Sequence, residues 1–321
     1  MTTTTNAYNG SHNACIRQFE MKDKPEYRFC AEEDILRILV RYALVKAFND
    51  FNFRTLDTAK TYKATYEAWA QQRKDLRRQQ PWGHKTIEEP SVTRYLMERL
   101  GNAFEDRFLD YFTHDPLTEE DFDDWHHTTC QMFLDNLNSE GDAYRHLPEL
   151  YTNLAYGKAQ KIVNMMFKHL YCFDSKEPWD DKWELYFRPC HVTLDNFTLV
   201  WFERKVVPQR IESWSNLVYA GDSVDTNNYR FYLQHIRNFF AREKKDPASL
   251  YANVTPFQAE FYIWPEIQLR LAAEGFLFEL KPEAYKGMGR KPQEEKMKLL
   301  KLPIEDLIQR VQDTIKEYRP R

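Results

Sequence analysis

Glycine is scarce in this chain, with nine among 321 residues. A sequence so poor in glycine, with frequent Leu, Lys, Glu and Gln in long stretches at helical spacing, points to an all-α fold. No unbroken apolar run reaches the roughly 20 residues that span a bilayer, and the N-terminal residues hold no apolar centre of a signal peptide, so no membrane segment is expected. Cysteine is sparse and odd in number, with five thiols at 15, 30, 130, 172 and 190. Their scatter argues against a disulfide framework and reads as reduced thiols of a cytoplasmic protein. Neither a CxxC nor an HExxH motif occurs. His126 and His127 sit within one turn of Cys130, and Cys190-His191 lies far along the chain. Such pairs fall short of a tetrahedral zinc set, so no metal and no cofactor is expected. No charge of one sign dominates either. A formal net charge of −4 argues against a protein that coats nucleic acid non-specifically, and leaves room for a local basic face. No repeat of fixed period and no heptad run is found.

What the chain has in quantity is aromatic side chains, 15% of its residues, and helical periodicity. Its length suffices to bury a substantial core. Residues 1–30 begin with a polar, turn-forming run and are expected to be poorly ordered. From Ala31 a segment with acids in its first turn carries apolar residues at 35, 36, 39, 40, 43, 44 and 47, which predicts a core helix. A Lys- and Arg-rich helix is predicted over about 57–80, and another over 90–112 with Tyr95, Leu96, Leu100, Phe104 and Phe108. Thr118, three residues before Asp121 in an acidic stretch, marks the next helix start. Trp125 is expected to be buried with its neighbouring histidines. A break at 140–142 separates a first helical lobe (31–140) from a central lobe (141–280). The central lobe includes predicted helices over about 228–244 and from Thr255-Pro256 onward, the latter kinked or split at Pro265. A basic linker and an amphipathic C-terminal helix complete the chain (281–321).

Residues 156–201 carry most of the candidate chemistry. Ile162, Met165, Met166, His169 and Leu170 recur at three- and four-residue steps, the pattern of a helix with a wide apolar face. Lys158, Lys161 and Lys168 share a stripe that Asn164 and Cys172 extend. Such a stripe is ordinarily a solvated face; the alternative is a phosphate-binding or catalytic one. Gly157 lets the backbone approach a phosphate, and amides at a helix start favour anions. After a tryptophan-rich loop, residues 191–194 read as extended, and Asp195 as the N-cap or first turn of a helix that Glu203, Arg204 and Lys205 close ahead of Pro208. A carboxylate there is either a cap alone or a charge that stabilises a developing cation.

A helix started by Gly-Lys, followed by an HVTLD segment that opens a second helix, resembles the helix-hairpin-helix DNA glycosylases. The hairpin's Gly-x-Gly is represented by Gly157 alone, with Ala155 at the first position. The resemblance implies a two-lobed helical arrangement, a hairpin that grips the DNA backbone, and Asp195 as the catalytic aspartate. It makes Lys158 and Lys161 candidates for a lysine that holds phosphate or attacks the sugar C1′. Lys168, His191 and Asn164 would orient the substrate. Trp179, Trp183 or Trp214 would stack on a flipped base or fill the gap it leaves. DNA is the partner this implies.

The residues themselves leave a second reading open. A non-catalytic all-α binding or regulatory protein, acting on a protein partner, would use the same aromatics as core and the same lysines as surface. Lysines converging with Asp195 on a concave positive cleft would favour the enzyme; an aspartate confined to capping would favour the binding protein.

Overall fold

The computed structural model describes residues 32–50, 60–80, 90–141, 154–173, 183–208, 213–219, 225–280 and 302–318. Among them the regular structure is all helical: ten α-helices and one 3-10 turn, with a single isolated bridge between Val218 and Asn228 and no strand. None of the described helices is long and apolar enough to cross a membrane. The poorly ordered start, the turn at 81–84, Trp179 and the basic linker are expectations that fall outside the described residues.

Two compact units divide the chain, one comprising residues 1–193 and 212–234, the other 194–211 and 235–321. The cuts fall after 193 and 234 instead of at 140, because the helices on either side of 140 share one core. In the first unit these are α1 (Glu32–Asp50), α2 (Lys60–Gln79), α3 (Val92–Thr113), α4 (Glu119–Gly141), α5 (Tyr156–Tyr171) and α6 (Trp183–Phe187). Each start has a local cause. The Ser91 hydroxyl accepts from the Arg94 amide at 3.2 Å ahead of α3. Thr118 does the same for Asp121 at 3.2 Å ahead of α4, and its own hydroxyl donates to the Asp121 carboxylate.

α5 is the axis of this unit. It packs on α1, α4 and the 3-10 turn Trp214–Asn216. Eleven of its sixteen residues are buried, which makes it a core helix and not the half-solvated one its lysines suggest. A helix enclosed on most sides needs partners for its polar residues as well as for its apolar ones. Phe167 is the apolar hub: its ring lies 5.0 Å from Phe108, 5.1 Å from Tyr111, 5.3 Å from Phe122 and 5.5 Å from Trp125. Edge-on and tilted ring pairs of this kind each add about 0.5–1.5 kcal/mol beyond the area they bury. They bind α3, α4 and α5 together across the 140–142 segment. Glu105 of α3 is buried and receives Arg37 and Arg41 from α1, so that contact is braced by charge as well.

The second unit holds α7 (Asn196–Lys205), α9 (Pro256–Leu280), α10 (Ile304–Tyr318) and the later turns of α8 (Tyr229–Glu243). Trp201 is its largest buried side chain, set against Phe239, Phe240 and Tyr251, with its indole N–H donating to the Tyr251 hydroxyl at 3.1 Å. α9 opens with a reciprocal cap: the Gln258 amide donates to the Thr255 hydroxyl at 3.2 Å, and the Thr255 amide to the Gln258 side chain at 3.0 Å. The helix then runs unbroken through Pro265. Pro265 is exposed, where solvent can take the carbonyl that lacks its usual donor. The amphipathic C-terminal helix docks within its own unit, with Leu307 fully buried against Ala273, Leu302 and Val311.

Gly157 sits where α5 meets the 3-10 turn. A Cβ there would fall well inside contact distance of the Trp214 carbonyl oxygen, 2.9 Å from its carbon and 3.3 Å from Leu217 Cβ. At Gly101 an added Cβ meets only the flexible end of Met97, at 3.3 Å. We expect Gly157→Ala to lower the unfolding free energy by about 1–3 kcal/mol or more. Gly101→Ala should change it by no more than about 1 kcal/mol, with helix propensity on the side of the alanine. Urea denaturation of both variants checks the pair.

Candidate functional site

Asp195 and the other residues singled out from the sequence lie in different units. Asp195 belongs to the second; Gly157, Lys158, Lys161, Asn164, Lys168, His191 and Trp214 belong to the first.

Asp195 ends an extended stretch, with φ −139° and ψ −173°, and is the N-cap of α7. Its Oδ1 accepts from the Phe197 amide at 2.8 Å and the Thr198 amide at 3.0 Å, while the Asp195 amide donates to Thr198 Oγ1 at 2.8 Å. Its Oδ2 accepts from the indole N–H of Trp264 at 3.0 Å. The Trp264 ring meets Phe197 edge-on at 4.6 Å, so the indole is itself held in place. The carboxylate residue is 7% exposed, and no lysine, arginine or histidine forms an ion pair with it among the described residues. What balances its charge there is neutral donors and the positive end of α7.

The lysine stripe is not a solvated face. Lys158 is buried, Lys161 and Lys168 are half-buried, and Asn164 is fully enclosed. The Lys161 ammonium stands over the Trp214 ring, 5.2 Å from its centroid, a cation–π contact that occupies both side chains. Trp183 is buried against Phe112, 5.1 Å between ring centroids. The Gly157 amide, expected to be available to a phosphate, donates to the Leu217 carbonyl at 3.0 Å. Its lack of a side chain serves the approach of the 3-10 turn.

Around Asn164 the first unit buries a hydrogen-bonded chain. The Asn164 amide nitrogen faces the Val192 carbonyl at 3.3 Å, a group that can only accept, which fixes the orientation of the side chain. Its oxygen is therefore turned to His126 Nε2 at 2.9 Å, so that nitrogen carries the proton. His126 Nδ1 is left to accept from the Tyr156 hydroxyl at 3.2 Å, and the ring is neutral. The Asn164 nitrogen also reaches the Tyr229 hydroxyl at 3.2 Å. Tyr229 in turn lies 3.1 Å from His191 Nδ1, and His191 Nε2 donates to the Asp123 carboxylate at 2.7 Å. Tyr156, His126, Asn164, Tyr229, His191 and Asp123 thus form one connected chain, in which the two hydrogens of the Asn164 amide are shared among Val192, Tyr229 and Gln160. Gln160 completes the set, accepting from Asn164 at 2.9 Å and donating to the Gly157 carbonyl at 2.9 Å.

Tyr229, His191 and Asp123 stand in the order nucleophile, base and orienting acid. Tyr229 is fully buried, however. The amide of Asn164 in mid-chain also interrupts any relay of protons. The bonded groups tie α4, α5, the extended segment before Asp195 and Tyr229 together. Cys130 lies 3.7 Å from His126 Nδ1, and burial pushes its thiol up; Cys190 turns away toward the Tyr186 carbonyl at 3.5 Å. Among the described residues no three His, Cys, Asp or Glu side chains are grouped to hold a metal ion.

No known protein family, curated protein or solved structure matches this chain.

Sequence reasoning did not find Asp123, Tyr156, Gln160 or Tyr229; it noticed His126 for its spacing to Cys130 and for burial beside Trp125, and both His126 and Trp125 are buried. Asp123 reads as one more acid in a helix start, and nothing in the sequence ties it to a histidine 68 residues away. Nor does the sequence point to Trp264 as the donor to Asp195.

Burial holds the His126 imidazole well below its usual pKa, and the adjacent His191 adds to that; the Asn164 bond and Asp123 oppose it, and His127 adds a little in the same direction. Above about pH 6.5, the ordinary value for a free histidine, His126 is neutral both folded and unfolded and contributes no pH dependence. Below it the unfolded chain takes up a proton that the folded chain refuses. We expect the unfolding free energy to fall as pH drops below about 6.5, by up to about 1.4 kcal/mol per pH unit for this one group. In His126→Gln the slope between pH 6.5 and 5 should shrink by about one proton. Urea titrations at stepped pH read both slopes.

Proposed function

We propose that this chain is a DNA glycosylase-like enzyme in which Asp195 supplies the negative charge that the reaction needs. The observation that supports this most is the burial of Asp195 without a cation among the described residues. Capping does not require it. Ser91 caps α3 from an exposed position in the same chain. Desolvating a carboxylate costs several kcal/mol even after relaxation, so its retention is explained by a cation that arrives with the substrate or forms from it.

In base excision the N-glycosidic bond breaks, its electron pair leaves with the base, and the sugar acquires oxocarbenium character. A carboxylate held by neutral donors is suited to stabilise that cation. Its Oδ1 is engaged by the two amides of its own cap, whereas Oδ2 takes only the Trp264 indole and retains a lone pair. That lone pair can accept the proton of the water that adds to C1′, so the displaced base and the abasic sugar are the two products. Lys158 is buried and Lys161 stacks on Trp214. The water-based route, without a lysine–sugar intermediate, is therefore the one we assign.

A second reading is favoured by one specific observation. The Gly157 amide is bonded to Leu217 instead of standing open to a phosphate, which suits a non-catalytic helical binding or regulatory protein in which Asp195 is a cap.

Release of bases from a panel of duplexes carrying damaged or modified bases separates the two. Asparagine caps helices about as well as aspartate, but its amide nitrogen cannot accept from the Trp264 indole, so Asp195→Asn should stay folded and lose about 1–3 kcal/mol of stability. Its base release should fall by about 10²-fold or more, the usual loss when one group aimed at the transition-state charge is removed. Wild-type protein that releases no base from any duplex would leave the binding reading.

A further inference from the structure

We propose that Arg204, Tyr251 and Arg270 form an oxyanion site in the second unit that takes a phosphate group. The argument starts from donors without acceptors. Arg204 Nε is buried and makes no hydrogen bond, and its guanidinium has no ion-pair partner among the described residues. Arg204 lies three residues beyond Trp201 on α7, so the two side chains neighbour each other on one helix face. The Trp201 indole donates to the Tyr251 hydroxyl at 3.1 Å, which brings that hydroxyl to the same turn. Having accepted there, Tyr251 keeps its own O–H, which has no acceptor among the described residues.

A second guanidinium stands close by. α7 packs on α9, and from α9 Arg270, 5% exposed, binds the Glu266 carboxylate through Nε at 2.9 Å and Nη2 at 2.8 Å. Its Nη1 donates to the Leu302 carbonyl at 2.6 Å. Glu266 is thus committed to Arg270, and the group of two guanidiniums and one carboxylate carries a net positive charge. Burial, and next to it the charge of Arg270, holds the Arg204 guanidinium below its ordinary pKa; Glu266 and Tyr251 act in the opposite direction. The other nearby carboxylate, Glu243, is taken up by Ser249 at 2.7 Å and Arg242 at 3.2 Å.

Two like charges and an unmatched donor are costly unless an anion joins them. The missing group must accept from a planar guanidinium fork and from a hydroxyl at the same time. A phosphate has enough acceptor oxygens to give two to Arg204 and another to Tyr251. A phosphodiester of DNA and a free or small-molecule phosphate share this chemistry. The inference does not rest on the assignment of Asp195, and its test is a binding measurement that base release does not enter.

Inorganic phosphate titrated into the full chain by calorimetry, at constant ionic strength held with chloride, should bind saturably. Arg204→Gln should weaken binding at least about tenfold, the scale for losing a charge-assisted pair. Tyr251→Phe should weaken it by a smaller factor. Arg204→Gln should melt no lower than the wild type without phosphate, since it removes a repulsion and no bond. An undamaged duplex that displaces phosphate from the wild type identifies the phosphodiester as the source; phosphate binding that the duplex does not disturb identifies a small phosphate. Absence of saturable phosphate binding, or an affinity equal in wild type and Arg204→Gln, would overturn the proposal.

Discussion

The hydrogen-bonded chain that ends on Asp123 is the constraint on which the first unit depends. α5 lies at the centre of that unit, and a central helix that carries Asn164 and Gln160 must satisfy them internally. The bonded groups form one connected chain that ends on a carboxylate, so each bond polarises the next. The elements joined are far apart in sequence: α4 through His126 and Asp123, α5 through Tyr156 and Asn164, the extended segment before α7 through His191, and the start of α8 through Tyr229. Apolar packing around Phe167 holds α3, α4 and α5 together, so α4 and α5 are common to both sets of contacts. The directional bonds select one register, because a slipped helix would leave several buried polar groups without partners.

The second unit treats its polar groups in the opposite way. Its buried charges are not drawn into one closed set. Among the described residues the buried Asp195 has donors and no cation, while the half-buried Arg204 has no hydrogen-bond acceptor and lies near both Arg270 and Glu266. Networks that are satisfied make a fold specific; charges left without counter-charges are where a chain has given up stability, and such places concentrate at sites that meet a ligand. The proposed chemistry is assigned to residues of the second unit.

Much of the fold is legible in the sequence. The helix starting near Ala31, the caps at Thr118 and Thr255, the N-cap at Asp195 and the all-α class follow from local patterns that need no tertiary information. The lysine stripe misleads for a physical reason. Periodicity identifies which residues share a face but not what covers that face, and here the 3-10 turn covers part of it. The division into units is illegible for the same reason: the sequence Glu140-Gly141-Asp142 reads as a break, while the rings around Phe167 decide that helices before and after it belong to one core. At Pro265 the helix does not split, and it continues from Pro256 to Leu280. The pairing of Asp123 with His191 and of Asp195 with Trp264 depends on approach across more than sixty residues, which no spacing rule reaches.

The central claim is that Asp195 faces a positive charge during the reaction. The most direct test is the affinity for two duplexes that differ only at one sugar, a protonated pyrrolidine in one and the neutral tetrahydrofuran in the other. Wild-type protein should hold the cationic duplex at least about tenfold more tightly, as expected of a mimic of the transition-state charge. Asp195→Asn should bind both alike. Equal affinities in the wild type would contradict the account and leave Asp195 a buried cap.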